Sequence, residues 1–124
     1  MFYKDLEVWK EGIKLVKSVY EITGNYPKTE IYGIVNQIRK SVVSIPSNIA
    51  EGVVKHSDKE TLRFLDIALG SLAELDTQMI ISEQLGYINS YETIELQISK
   101  VNALLSGLIK YYNKQFKDDT ALVP

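Results

Sequence analysis

Apolar residues recur at steps of three and four along nearly the whole chain, and the breaks between periodic stretches are only a few residues long. That pattern is the period of an amphipathic α-helix and leaves no room for a strand-based fold. Leu6, Trp9, Ile13, Val16 and Tyr20 form one stripe and predict a helix over 5–23, with Leu15, Val19 and Ile22 widening it. Gly24-Asn25-Tyr26-Pro27-Lys28 is a stop, with Gly24 placed for a left-handed C-terminal turn and Pro27 unable to continue the helix. A second helix is expected from near Thr29 to Val53, carrying Ile31, Ile34, Val35, Ile38, Val42 and Ile45. Ser57 and Glu60 have the spacing of a capping box at the start of a third helix over 58–85. Leu62, Leu65, Leu69, Leu72 and Met79 line that helix, and Phe64, Ala68, Ser71 and Leu75 form a second line. Gly86 supplies its C-terminal turn, and Ser90 caps a fourth helix bearing Ile94, Ile98, Val101, Leu105, Leu108 and Tyr112. Four such helices on short loops predict an all-α, up-down-up-down antiparallel bundle over residues 1–116, with 117–124 as a flexible C-terminal tail.

One segment breaks the plain pattern. Residues 37–52 read as helix yet contain Pro46, which removes a backbone donor and displaces the carbonyl of Val42. Either one kinked helix passes through, with Ser44, Ser47 and Asn48 as substitute partners, or one helix ends near Ser44 and another begins at Pro46. Val42, Ile45 and Ile49 keep the helical period on both sides and favour the single helix.

At 124 residues the chain suits one domain and one core. It has no cysteine, which excludes disulfides, thiol catalysis and cysteine-ligated metals. No leader-like start or run of about 20 apolar residues occurs, so the expected location is the cytoplasm, away from membranes. With 14 basic against 16 acidic side chains, no global field gathers nucleic acid, and any such contact needs a local patch.

Catalytic constellations are missing from the pattern. The one histidine, His56, has no Glu three residues before it and sits in a loop next to a capping serine, so it reads as solvent-exposed. No glycine-rich phosphate loop is present. Gly70, isolated inside the third helix, is expected to permit close helix approach beside Ala68 and Ser71. Glu74 and Asp76 point to different helix faces, and one of them is expected to pair with Arg39 or Lys40. No catalytic residue, metal site or cofactor is expected. Lys10, Lys14 and Lys17 share one helix face, and Lys110, Lys114 and Lys117 share another, making modest positive strips. Tyr26, Tyr32 and Tyr87 lie near loops, placed to cap the core or to line an interface. Leu15 and Val19, Phe64 and Ile67, and Leu104 and Ile109 broaden the apolar stripes and point to a homo-oligomer.

Residues 5–10 (Asp-Leu-Glu-Val-Trp-Lys), 37–52, 70–78 (Gly-Ser-Leu-Ala-Glu-Leu-Asp-Thr-Gln) and 85–87 (Leu-Gly-Tyr), in that order and spacing, resemble the four-helix-bundle proteins encoded in intervening sequences of bacterial 23S ribosomal RNA genes. The likeness spans about residues 4–113. It implies a left-handed antiparallel bundle assembled as a homopentameric ring, and kinship with the nucleic-acid-binding accessory variability determinant of diversity-generating retroelements. It also implies that Arg39, Ser44, Pro46, Asn48, Glu51 and Glu74 form a fixed polar set that builds the bundle and its subunit contacts, and it assigns no catalytic residue. The retroelement protein is strongly basic, whereas this chain is slightly acidic. The function expected is therefore that of a non-enzymatic oligomeric scaffold with RNA or another nucleic acid as partner, contacted first by Lys10, Lys14, Lys17, Lys110 and Lys114. The alternative is a protein-protein adaptor that touches no nucleic acid.

Overall fold

The computed structural model describes residues 2–121. Its order is a 3₁₀ turn (Tyr3–Asp5), α1 (Glu7–Thr23), a second 3₁₀ turn (Lys28–Glu30), α2 (Ile34–Val53), α3 (Asp58–Gln84) and α4 (Glu92–Ala121). Helices α1 and α2, α2 and α3, α3 and α4, and α4 and α1 touch, while neither diagonal pair does. This is the up-down four-helix arrangement that short connections dictate. α4 continues through Ala121, so 117–121 is helical where the periodicity had run out, and 122–124 lie outside the described residues.

The core corrects one reading. On α1 the buried residues are Val8, Gly12, Leu15, Val19 and Thr23, whereas Ile13 and Tyr20 are exposed. The stripe is displaced because two of its members, a glycine and a threonine, carry no apolar signal. Thr23 stays inside because its hydroxyl donates to the Val19 carbonyl at 2.8 Å. Elsewhere the periodicity holds: Ile38, Val42, Ile45 and Ile49 of α2, Leu65, Leu72, Leu75 and Met79 of α3, and Ile94, Val101 and Leu105 of α4 are almost wholly buried. Burial of each such side chain contributes about 1.5–3 kcal/mol.

Both 3₁₀ turns shorten the predicted helices. α2 starts at Ile34 rather than Thr29 because Gly33 departs from helical geometry (φ −104°, ψ −118°), and the Glu30 carboxylate accepts from the Ile34 amide at 3.4 Å. Ile31 is thereby left outside the helix and half exposed. Gly24 leaves α1 in the right-handed region (φ −63°, ψ −18°), because Asn25 and Tyr26 bond back to Ile22 and Thr23 in successive tight turns. Gly86 does take the left-handed turn (φ 77°), and the Tyr87 amide reaches the Ser82 carbonyl at 2.9 Å to close α3. At the start of α3 the Ser57 hydroxyl accepts from the Glu60 amide at 3.1 Å, while the Glu60 carboxylate turns to Arg63 at 2.8 Å. The Ser90 hydroxyl accepts from the Glu92 amide at 3.2 Å at the start of α4.

Pro46 lies buried within a single α2. Asn48 donates to both the carbonyl and the hydroxyl of Ser44, each at 2.8 Å, and the Ser44 hydroxyl lies 2.8 Å from that of Ser71 on α3. The proline ring faces Gly12 of α1, where an added β-carbon would sit 3.4 Å from Pro46 Cβ. The polar run Ser44-Pro46-Asn48 thus positions α2 against both neighbours.

Gly70 has no such role. A β-carbon built there meets nothing within 4 Å, contrary to the close approach expected of it. Gly70→Ala should therefore raise unfolding free energy by about 0.5–1 kcal/mol through helix propensity and unfolded-state entropy. A urea midpoint at or below that of the parent protein would contradict the open environment.

Candidate functional site

Three surfaces carry groups able to bind something, two of them set by a helix pair and the third by α4 alone. The first lies at the α1–α2 edge. Tyr20, Ile31, Tyr32, Val35, Asn36, Arg39, Lys40, Val43 and Ser44 line an open concavity of about 600 Å³. The Arg39 guanidinium stacks 4.4 Å from the Tyr20 ring and donates to the Thr23 hydroxyl at 3.0 Å and, at 3.4 Å, to the Tyr20 carbonyl. Tyr32 is 93% exposed. No carboxylate lies within 4 Å of Arg39 or Lys40 among the described residues.

The expected pairing of these cations with Glu74 or Asp76 does not occur. Glu74 accepts instead from the buried hydroxyl of Ser41 at 2.7 Å, and Asp76 accepts from the phenol of Tyr91. The physical reason is reach: Arg39 is turned toward α1 by its stack on Tyr20 and its bond to Thr23. Of the polar set implied by resemblance, Ser44, Asn48 and Glu74 make α2–α3 or intrahelical bonds, Arg39 ties α2 to α1, Pro46 packs on Gly12, and Glu51 is exposed.

A second surface lies between α3 and α4. Leu69, Leu72, Ala73, Asp76, Tyr91, Glu95, Ile98, Ser99 and Asn102 line a groove of about 290 Å³. Its two carboxylates have no cation within 4 Å among the described residues.

The sequence-predicted lysines fall on two separate parts of the molecule. On α1, Lys14 lies 3.3 Å from Glu11, and Lys100 of α4 reaches the same oxygen at 3.2 Å. Hydrogen bonding from Lys100, followed by Lys14, holds the Glu11 carboxyl below its ordinary pKa, so this carboxylate stays ionised and offsets part of the α1 strip. Lys10 shares a concavity with Asp5, Glu7 and Glu11, and Lys17 is exposed. On α4, Lys110, Lys114 and Lys117 gather around one concavity with Gly107, Tyr111 and Asn113, and Asp118 is its one carboxylate. The third surface is therefore the one with the densest positive charge.

Sequence reasoning missed the α1–α2 groove, since its members come from α1, a loop and α2 and share no period. The width argument fares differently: Leu15 and Val19 belong to the core of one copy, and Ile67 alone of the six widening residues is classed among the exposed apolar side chains. Tyr26 also turns inward, with its ring 5.3 Å from Tyr87, and burial raises its phenol pKa. His56 is exposed, as its loop position predicts. Among the described residues no group of three or more His, Cys, Asp or Glu side chains is arranged to hold a metal ion, and no helix is long and apolar enough to cross a membrane.

An antiparallel four-helix bundle with a polar seam along a proline-containing second helix is the class of protein defined by these observations. More particularly, residues 4–107 match the 23S rRNA-intervening sequence protein family, and the chain belongs to it. A solved structure of similar fold is a protein of unknown function from the S23 ribosomal protein family of Bacteroides thetaiotaomicron. The two chains are 25% identical and superpose with a TM-score of 0.74, covering 83% of this chain and 98% of that one. No curated protein matches this chain.

Proposed function

We propose that this protein is a non-enzymatic, self-associating scaffold of the bacterial cytoplasm that binds RNA. The observation that carries the RNA reading is the α4 concavity, where Lys110, Lys114 and Lys117 surround Tyr111 with a single opposing carboxylate. Three ammonium groups at helical spacing suit successive phosphates, and an exposed tyrosine ring offers a stacking face. On α1 the carboxylates of Asp5, Glu7 and Glu11 share the concavity of Lys10 and Lys14, so Lys10, Lys14 and Lys17 take a lesser part.

Self-association is supported by exposed apolar side chains on more than one face, among them Ile13, Tyr32, Val43, Ile67 and Leu96. A pentameric ring is the size that resemblance to the family implies. The non-enzymatic reading rests on the exposed, unsupported His56 and on the structural partners found for Glu74 and Asp76. The second reading, a protein-protein adaptor, is favoured by the net charge of −2.

Light-scattering mass during size exclusion, with and without single-stranded and hairpin RNA, tests both parts. The expected result is a homo-oligomer that takes up RNA at low salt and releases it as salt rises. An oligomer indifferent to RNA at every salt concentration would transfer the function to the adaptor reading, and a monomer would remove the scaffold.

A further inference from the structure

The α1–α2 groove and the α3–α4 groove are complementary in charge. The first is lined by Arg39 and Lys40 and no carboxylate, and the second by Asp76 and Glu95 and no cation. Among the described residues, each set lacks an opposite charge within 4 Å. Because α1 does not touch α3 and α2 does not touch α4, the two grooves lie on opposite sides of the bundle. The most exposed large apolar side chain of the described residues, Tyr32 (93%), lines the cationic groove.

The grooves lie at the same end of the molecule. The α1–α2 and α3–α4 connections meet there through the contact of Tyr26 with Tyr87. At a rise of about 1.5 Å per residue, Lys40 lies about 9 Å along α2 from that end, and Asp76 and Glu95 lie about 12 and 5 Å from it along α3 and α4.

Taking these together, and resting on the self-association proposed above, we infer that the cationic, aromatic groove of one copy receives the acidic α3–α4 face of a second copy, head to tail. Opposite charges on opposite faces make the contact heterologous, and similar height along the bundle axis gives successive copies little axial shift. Desolvation of Tyr32 against the apolar lining of the acidic groove, Leu69 among it, supplies apolar burial, and the ion pairs set the register.

A charge swap tests this contact. Lys40 and Glu95 are both exposed, so reversing them leaves the core intact. Light-scattering mass across a dilution series at low salt is measured for the parent protein, Lys40→Glu, Glu95→Lys and the double variant, with circular dichroism melts as the folding control. Each single reversal is expected to raise the dissociation concentration at least tenfold, and the double variant to recover most of the loss. A monomeric parent protein would overturn this contact together with the self-association reading. An oligomeric parent whose single variants dissociate no more readily would leave that reading standing and overturn this contact alone. Single variants that stay assembled while Lys40→Glu loses RNA uptake would overturn it too, by making the groove a nucleic-acid surface.

Discussion

Gly52→Val is expected to lower the unfolding free energy by about 2–4 kcal/mol, although helix propensity alone favours valine over glycine. Gly52 is buried in the last turn of α2, where that helix crosses the start of α3. A β-carbon there would sit 3.0 Å from Phe64 Cβ and 3.2 Å from the Thr61 carbonyl oxygen. The Gly52 carbonyl itself accepts from the buried Thr61 hydroxyl at 2.8 Å, so separating the helices also breaks a hydrogen bond between groups with no access to water. Overpacking of this kind costs about 1–3 kcal/mol, and leaving a buried polar group unpaired costs a similar amount. At roughly 4 °C per kcal/mol for a domain of this size, melting should fall by about 8–16 °C at fixed protein concentration. The comparison that isolates packing is Gly70→Val, at an exposed position with nothing within 4 Å, where the change should be within about 0.5 kcal/mol. Equal melting temperatures for the two variants would show that the α2–α3 approach at Gly52 is not tight.

The contrast between these glycines shows what the chain's pattern reveals and what it hides. Helix number, order and antiparallel topology are legible because several residues vote for each period, and Leu65, Leu75, Ile98 and Leu105 are buried as that vote predicts. A single glycine casts no such vote. Gly52 and Gly70 look alike in sequence, and only the crossing of α2 with α3 makes one indispensable and the other replaceable. The α1 stripe went astray for a related reason, since Gly12 faces the Pro46 ring and Thr23 is held inside by its own hydrogen bonds. Pro46 was legible as a constraint, but its partner was not.

Charged side chains were the least legible. Glu74 has the reach and sign to pair with α2 cations, yet a serine hydroxyl on α2 takes it, and Arg39 turns the other way to stack on Tyr20. Such choices depend on which face each helix turns toward its neighbours, a quantity that periodicity fixes only to within about one residue. The two lysine strips already differ in sequence, since Glu11 stands one helical turn before Lys14 and lies 3.3 Å from it; what only the bundle shows is that Lys100 of α4 reaches the same carboxylate, whereas the α4 lysines share their concavity with Asp118 alone.

That difference sets the largest expected effect on RNA binding. If Lys110, Lys114 and Lys117 each neutralise one phosphate of a single strand, the logarithm of affinity should fall with that of salt at a slope of about −2. Raising salt from about 50 to about 200 mM would then weaken binding about twenty-fold. Reversing all three lysines to glutamate should abolish this slope and lower affinity at the lower salt by at least the same factor, because repulsion replaces attraction at each contact. The three positions lie on the solvent side of α4, so the helix and the core should survive, as a circular dichroism melt would check. Lys14→Glu is the matched control: placed beside Glu11, it should change affinity less than about threefold. Fluorescence anisotropy with a labelled single-stranded RNA measures both quantities. An unchanged slope in the triple variant, or a larger loss from Lys14→Glu than from α4, would remove the α4 concavity as the phosphate-contacting surface and return the search to α1.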